Sequence, residues 1–147
     1  MLSPSDAWIG VGQGQVCGSC HAAGDAGAAA AESIAAALAR MHERLVAAEA
    51  RVKEAERAGM LMEEAQVKLE EAHQGVVLAQ VEIHSVDPAR VESQAKEVLA
   101  AAGVADGLAA AAEDEIRFRR TGLFVSLAVI ALAMVALILK IRRMEAT

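Results

Sequence analysis

Apolar residues recur along most of this chain at alternating intervals of four and three, the spacing of a heptad seam rather than of a general amphipathic stripe. From about Ala28 to Ala58 they fall at Ile34, Leu38, Met41, Leu45 and Val52, with Ala48 and Ala55 filling the gaps. Arg40, Glu43, Arg44, Glu49, Arg51, Lys53, Glu54, Glu56 and Arg57 take the other faces, so the pattern predicts one long helix. Asp25 suits its N-cap, and Gly59 suits the left-handed residue beyond its end. A second seam runs through Met62, Ala65, Leu69, Ala72, Val76, Ala79 and Ile83, and ends at Ser85-Val86-Asp87-Pro88. Asp87 is a cap and Pro88 a first helical residue for a third seam: Val91, Ala95, Val98, Ala102, Ala105, Ala109, Ala112 and Ile116. Gly103 and Gly107 weaken that helix and predict a bend or break.

Short turns between three seams imply an antiparallel helical hairpin with a third helix packed alongside, and the many alanines allow close axes. The last segment has no seam. From Thr121 to Ile141 it is apolar, with no charge before Lys140. At ~1.5 Å per residue, ~20 such residues cross the ~30 Å hydrocarbon layer, which predicts a transmembrane helix. Arg117, Arg119 and Arg120 precede it and Lys140, Arg142 and Arg143 follow, so the basic flanks are balanced and do not orient it. The expected class is therefore all-α. Its parts are an irregular N-terminal loop over 1–27, a hairpin with a third helix over 28–120, a membrane helix over 121–141 and a tail over 142–147.

Composition supports thin, closely packed helices. Hydrophobic residues make up 55% of the chain and aromatic ones 2%, with no Tyr, so a core must come from Ala, Val, Leu, Ile and Met. The net charge of −6 argues against nucleic acid as a partner.

Residues 1–27 differ again. Pro4 and Gly10, Gly12, Gly14, Gly18, Gly24 and Gly27 break any regular element. Within this loop stand the chain's two cysteines, in Cys17-Gly18-Ser19-Cys20-His21. Cys-x-x-Cys-His is the attachment pattern of c-type haem: both thiols add to vinyl groups, and the next histidine is placed to ligate iron. A zinc site needs two more ligands with their own spacing, and no second Cys-x-x-Cys or His-x-x-x-His pair exists. A thioredoxin-like pair needs a βαβ context that the patterning lacks. The expectation is one covalent haem c on Cys17 and Cys20, with His21 as the proximal ligand, in an irregular loop against one face of the haem.

A second axial ligand can come from His42, His73, His84 or a methionine. If the hairpin turns near Gly59 and Met60, residue 84 lies beside roughly residue 36. That brings His84 within ~15–25 Å of the first helix start. His42 and His73 lie nearer the tip. Met60 and Met62 stand at the tip, Met134 in the membrane segment and Met144 beyond it. His84 is the favoured distal ligand on these grounds.

The run Gly12-Gln13-Gly14-Gln15-Val16-Cys17-Gly18-Ser19-Cys20-His21, followed by a long Ala/Glu-rich helix, resembles the C-terminal part of bacterial membrane-anchored multihaem c-type cytochromes. So do Ala58-Gly59-Met60, the Ile83-His84-Ser85-Val86-Asp87 turn and the terminal Leu139-Lys140-Ile141-Arg142-Arg143. In that family further haem motifs precede this one and form a wire of closely spaced haems. The resemblance implies that the hairpin surrounds the last haem and that His84 is a ligand. This sequence holds a single motif, which implies that a partner chain carries the other haems.

These features lead to a membrane-anchored cytochrome that relays single electrons, an electron carrier rather than an enzyme, with other haem-bearing redox subunits and the lipid bilayer as partners. Homo-oligomers through the helices are a further possibility of the pattern. One alternative is a structural anchor or assembly subunit of a membrane redox complex. Another is a haem-based sensor, although the tail after Arg143 is too short for an output domain. Haem is attached outside the bacterial cytoplasmic membrane, so the expected placement is a periplasmic haem domain, one membrane pass and a cytoplasmic C-terminus. Residues 1–20 show neither the charged nor the apolar run of an export signal, which leaves a precursor that begins upstream, a misassigned start or another export route; the expectation is the tail of a longer protein or a separate subunit derived from such a tail.

Overall fold

The computed structural model describes residues 8–22, 24–85 and 87–145; the side chains of His84 and Glu145 lie outside that description. Among the described residues every regular element is helical. A 3-10 turn, Cys17–Ser19, precedes α1 (Ala26–Arg57) and α2 (Glu63–Glu82), and a second, Ile83–Ser85, precedes α3 (Pro88–Glu145). The chain divides into two compact units, one ending at Ala110 and one beginning at Ala111.

Each helix starts and stops where local chemistry requires it. Asp25 has an extended backbone, and its Oδ1 accepts the Ala28 N–H at 2.6 Å, as an N-cap does. At the other end of α1, Gly59 has φ +87°, its N–H donates to the Glu56 carbonyl, and the Met60 N–H reaches back to the Ala55 carbonyl. That pair of bonds closes the helix as a Schellman motif, which only a residue at ease with positive φ completes cheaply. Asp87 caps α3 by accepting the Ala89 N–H at 3.0 Å, with Pro88 as the first helical residue.

The first unit is packed on the three seams. Ile34, Leu38, Met41, Leu45, Ala48, Val52 and Ala55 of α1 are buried, as are Ala65, Leu69, Ala72 and Ala79 of α2. Val91, Ala95, Val98, Ala102, Ala105 and Ala109 of α3 complete the core, whose largest fully buried side chains are Met41, Val91 and Val98. Ile83 is half-buried because it borders an open groove; Val76 is half-buried as well, for no reason that its neighbours supply.

Polar pairs beside the seams show the register. His73 meets Glu49 at 2.8 Å, and Gln66 donates to Glu56; both pairs are centred on position 61, which makes α1 and α2 antiparallel. Arg40 meets Glu92 at 2.6 Å, while Arg44 and Arg51, one heptad apart, share Asp106 at 2.9 and 2.7 Å, which makes α3 run parallel to α1. The exposed pair Arg40–Glu92 contributes about 0–1 kcal/mol, so its main effect is to favour one register over its neighbours.

Two expectations about the third helix are corrected. It does not break at Gly103 or Gly107: α3 is continuous through both. The glycines cost about 1 kcal/mol each in helix propensity, but the buried seam residues Ala102, Ala105 and Ala109 around them hold the backbone in register. Nor is the apolar segment a separate element. No proline follows Pro88, nothing else interrupts the hydrogen-bond ladder, and residues 121–141 are the later part of α3. This helix is long and apolar enough to cross a membrane, and among the described residues its most apolar stretch is exposed. Leu123, Phe124, Leu132 and Leu137 are each more than half exposed, as a lipid-facing surface requires.

Closeness of the axes makes a sharp test. A Cβ added at Gly75 on α2 would lie 2.5 Å from Val98 Cγ2, whereas one at Gly103 meets nothing within 4 Å. Val98 is buried and stiff at χ1, so it has no room to yield. Gly75→Ala is expected to lower the melting temperature, since overpacking of about 1–3 kcal/mol exceeds the propensity gain of about 0.5–1 kcal/mol. Gly103→Ala keeps only the gain and is expected to raise it; thermal unfolding in detergent followed by circular dichroism compares the two.

Candidate functional site

The loop before α1 is folded back on itself by backbone bonds. Val16 N–H donates to the Trp8 carbonyl at 2.8 Å, and Gly18 N–H to the Gly10 carbonyl at 3.2 Å. The Gln15 side chain closes the turn between them by accepting the Gly12 N–H at 2.6 Å. Gly10 has φ +134°, a backbone that other residues rarely adopt, and Gly18 has no room for a side chain, since a Cβ there would meet the Val11 carbonyl oxygen at 2.9 Å. The glycines expected to break any regular element are thus also what lets this loop fold back closely on itself.

The folded loop ends in the Cys17–Ser19 turn. Cys20 and His21 N–H groups both donate to the Cys17 carbonyl, at 3.2 and 3.0 Å, and Ser19 Oγ donates to the Val16 carbonyl at 2.7 Å. Both cysteines are free thiols; Cys17 is half-buried and Cys20 exposed. His21 follows directly. Its Nδ1 lies 3.3 Å from Asp25 Oδ2, and its ring rests against Gly27, where a Cβ would come within 2.2 Å of it. Asp25 Oδ2 also accepts the Ala22 N–H at 3.0 Å. The Ala28 N–H first, then Ala22 and His21, hold the Asp25 carboxyl below its ordinary value.

Beside Cys17 lies an apolar cavity of about 510 Å³. Trp8, Ile9, Val16 and Cys17 line it from the loop, Val77, Gln80 and Val81 from the C-terminal end of α2, and Ile83 from the turn that follows. Trp8 and Val16 are 58% and 62% exposed, and so are Val77 and Val81, so this wall is left open to solvent by the described residues. Burying such a wall would stabilise whatever fills it by roughly 25 cal/mol per Å² of apolar surface.

The other candidates distribute as follows. His84 belongs to the Ile83–Ser85 turn at the same end of α2 as the cavity wall, and its side chain lies outside the described residues. The hairpin register carries residue 84 to a level near residue 38, on the side of the bundle where α1 begins. His42 is half-buried on α1 and does not line the cavity. His73 has both ring nitrogens engaged, Nδ1 against the Leu69 carbonyl and Nε2 against Glu49, each at 2.8 Å. Among the described residues no group of three or more His, Cys, Asp and Glu side chains is placed to hold a bare metal ion, so the zinc alternative finds no donor set there.

Two parts of this site escaped the sequence reading. Val77 and Val81 stand one turn apart and off the α2 seam, a spacing that signals a second apolar face. Asp25 and His21 are also four apart, but the loop lies between them and only the fold brings their side chains together. No protein-family model, no curated protein and no solved structure matches this chain.

Proposed function

We propose that this chain is a membrane-anchored c-type cytochrome that relays single electrons through one haem held on Cys17 and Cys20. The observation that carries the reading is the apolar cavity against Cys17, at the mouth of a Cys-x-x-Cys-His turn. The residues fit the group in kind: two free thiols, an adjacent imidazole, and an apolar wall of Trp8, Val16, Val77 and Val81 beside Cys17, although Cys20 and His21 do not line that cavity. Cys17 and Cys20 would hold the group through thioethers, each S–H adding across a vinyl C=C with its hydrogen on the neighbouring carbon, so that no oxidant would be needed. When bound, the haem supplies an iron that takes up and releases one electron.

This chain's own residues have distinct parts in that function. His21 and His84 would each offer an imidazole nitrogen to hold the haem iron. With both in place no position stays open for substrate, which suits transfer rather than catalysis. The apolar wall keeps water from one face and so helps set the reduction potential. The helix over 121–141 tethers the site to the bilayer, with the haem domain on the periplasmic side and the C-terminus in the cytoplasm. Electrons would come from and go to haems on partner subunits within about the same membrane surface.

His84→Ala is expected to convert a low-spin iron to a high-spin one, read in the visible spectrum and by electron paramagnetic resonance of the purified full chain. His73→Ala is expected to leave the spin state unchanged, because that ring is occupied elsewhere. A low-spin spectrum that survives His84→Ala removes His84 as a ligand.

A further inference from the structure

We propose that Asp25 and Gly27 are positioning residues that hold His21 as its Nδ1–H tautomer, so that Nε2 is the nitrogen presented to iron. The inference deepens the haem reading and rests on it for the identity of the metal.

Three contacts fix the Asp25 carboxylate. Oδ1 accepts the Ala28 N–H at 2.6 Å, and Oδ2 accepts the Ala22 N–H at 3.0 Å and faces His21 Nδ1 at 3.3 Å. The two backbone donors come from opposite sides of the loop-to-helix junction, so the group cannot swing away without uncapping α1. An ionised carboxylate only accepts hydrogen bonds. The ring nitrogen facing it must therefore carry the proton, which leaves the lone pair on Nε2. Gly27 supplies the second constraint. A Cβ there would sit 2.2 Å from His21 Cε1 and Nδ1 and 2.7 Å from Nε2, so any side chain at 27 would push the ring off the first turn of α1. One residue thus sets the tautomer and the other the ring's place. Nothing in the requirements of an N-cap demands either: Ser or Asn caps a helix as well, and glycine inside a first turn costs helix propensity. A carboxylate on the outer N–H of a ligating histidine also raises the basicity of the ligating nitrogen. The oxidised iron is favoured as a result, and the reduction potential falls.

The test uses the full chain in detergent micelles, labelled with ¹⁵N-histidine and produced without haem-attachment machinery. Spectra are taken at about pH 8, above the usual imidazole range, with His21 assigned by a His21→Gln control. The expected result is a protonated Nδ1 and an unprotonated Nε2 at His21. Asp25→Ser keeps one oxygen to cap α1 and removes the oxygen that faces His21; it is expected to shift His21 to the Nε2–H form while circular dichroism stays unchanged. Gly27→Ala is expected to do the same by displacing the ring. A His21 that is Nε2–H in the native chain, or a tautomer indifferent to Asp25→Ser, overturns the proposal. In the haem-loaded chain, Asp25→Ser is expected to raise the reduction potential, and Asp114→Asn, placed in the other compact unit, to leave it unaltered. A chain that takes up no haem sinks the haem reading and leaves the tautomer result to stand or fall by itself.

Discussion

Replacing Cys17 and Cys20 together by alanine is expected to abolish covalent haem while leaving the helical bundle intact. The effect is all or none, because each thioether is one bond and no other cysteine exists in the chain to substitute for it. The native chain, produced where haem is attached to exported proteins, is expected to gain the mass of one haem. It should stain for haem in a denaturing gel and give the pyridine haemochrome of a doubly linked macrocycle. The double variant is expected to show none of these, and either single variant one linkage. Stability is a separate matter. Cys17 and Cys20 lie in the loop, half-buried and exposed, and neither belongs to the buried seam. Helix content and thermal unfolding of the haem-free double variant are therefore expected to match those of the haem-free native chain. A native chain that keeps both thiols unmodified in such a host ends the cytochrome account.

Two arginines near the middle of the apolar segment, Ile130→Arg with Ala133→Arg, are expected to release the protein from the membrane. Residues 121–141 contain twelve Leu, Ile, Val and Phe side chains. At about 0.3–0.6 kcal/mol each, they favour insertion by about 4–7 kcal/mol. Each central arginine costs about 2.5–3.5 kcal/mol, so two of them cancel the whole preference and one does not. The single variant Ile130→Arg is expected to stay in the membrane fraction after alkaline washing, and the double variant to leave it. Both positions lie outside the unit that holds the three-helix core, so loss of membrane association cannot be traced to an unfolded bundle. A double variant that remains in the membrane would mean that another part of the chain anchors it.

Much of the architecture was legible because short-range rules govern helices. The heptad intervals named Met41, Leu45, Ala72, Val98 and Ala105 as core, and all five are buried. Asp25, Gly59 and Asp87 were readable as helix ends because capping depends on a few neighbouring groups. The same local rules misled at Gly103 and Gly107, where propensity predicted a break and packing of Ala102, Ala105 and Ala109 overrode it. The candidate site was legible only as an ordered string of donors, Cys17, Cys20 and His21, with His84 added by hairpin arithmetic.

What the amino-acid order determined by itself is therefore the set of periodic and punctuating features: three seams, their caps, one lipid-compatible segment and one thiol-thiol-imidazole motif. Each depends on groups within a helical turn or two, or on composition averaged along a segment. Only the tertiary structure decided that Trp8 and Val16 face Val77 and Val81 across one cavity, and that α3 continues unbroken through its glycines. It also decided that Asp106 joins two arginines of α1 and that His21 rests on Gly27 beside Asp25. Those outcomes follow from long-range contacts, or from loop backbone set by positive-φ glycines, and neither leaves a periodic trace in the chain.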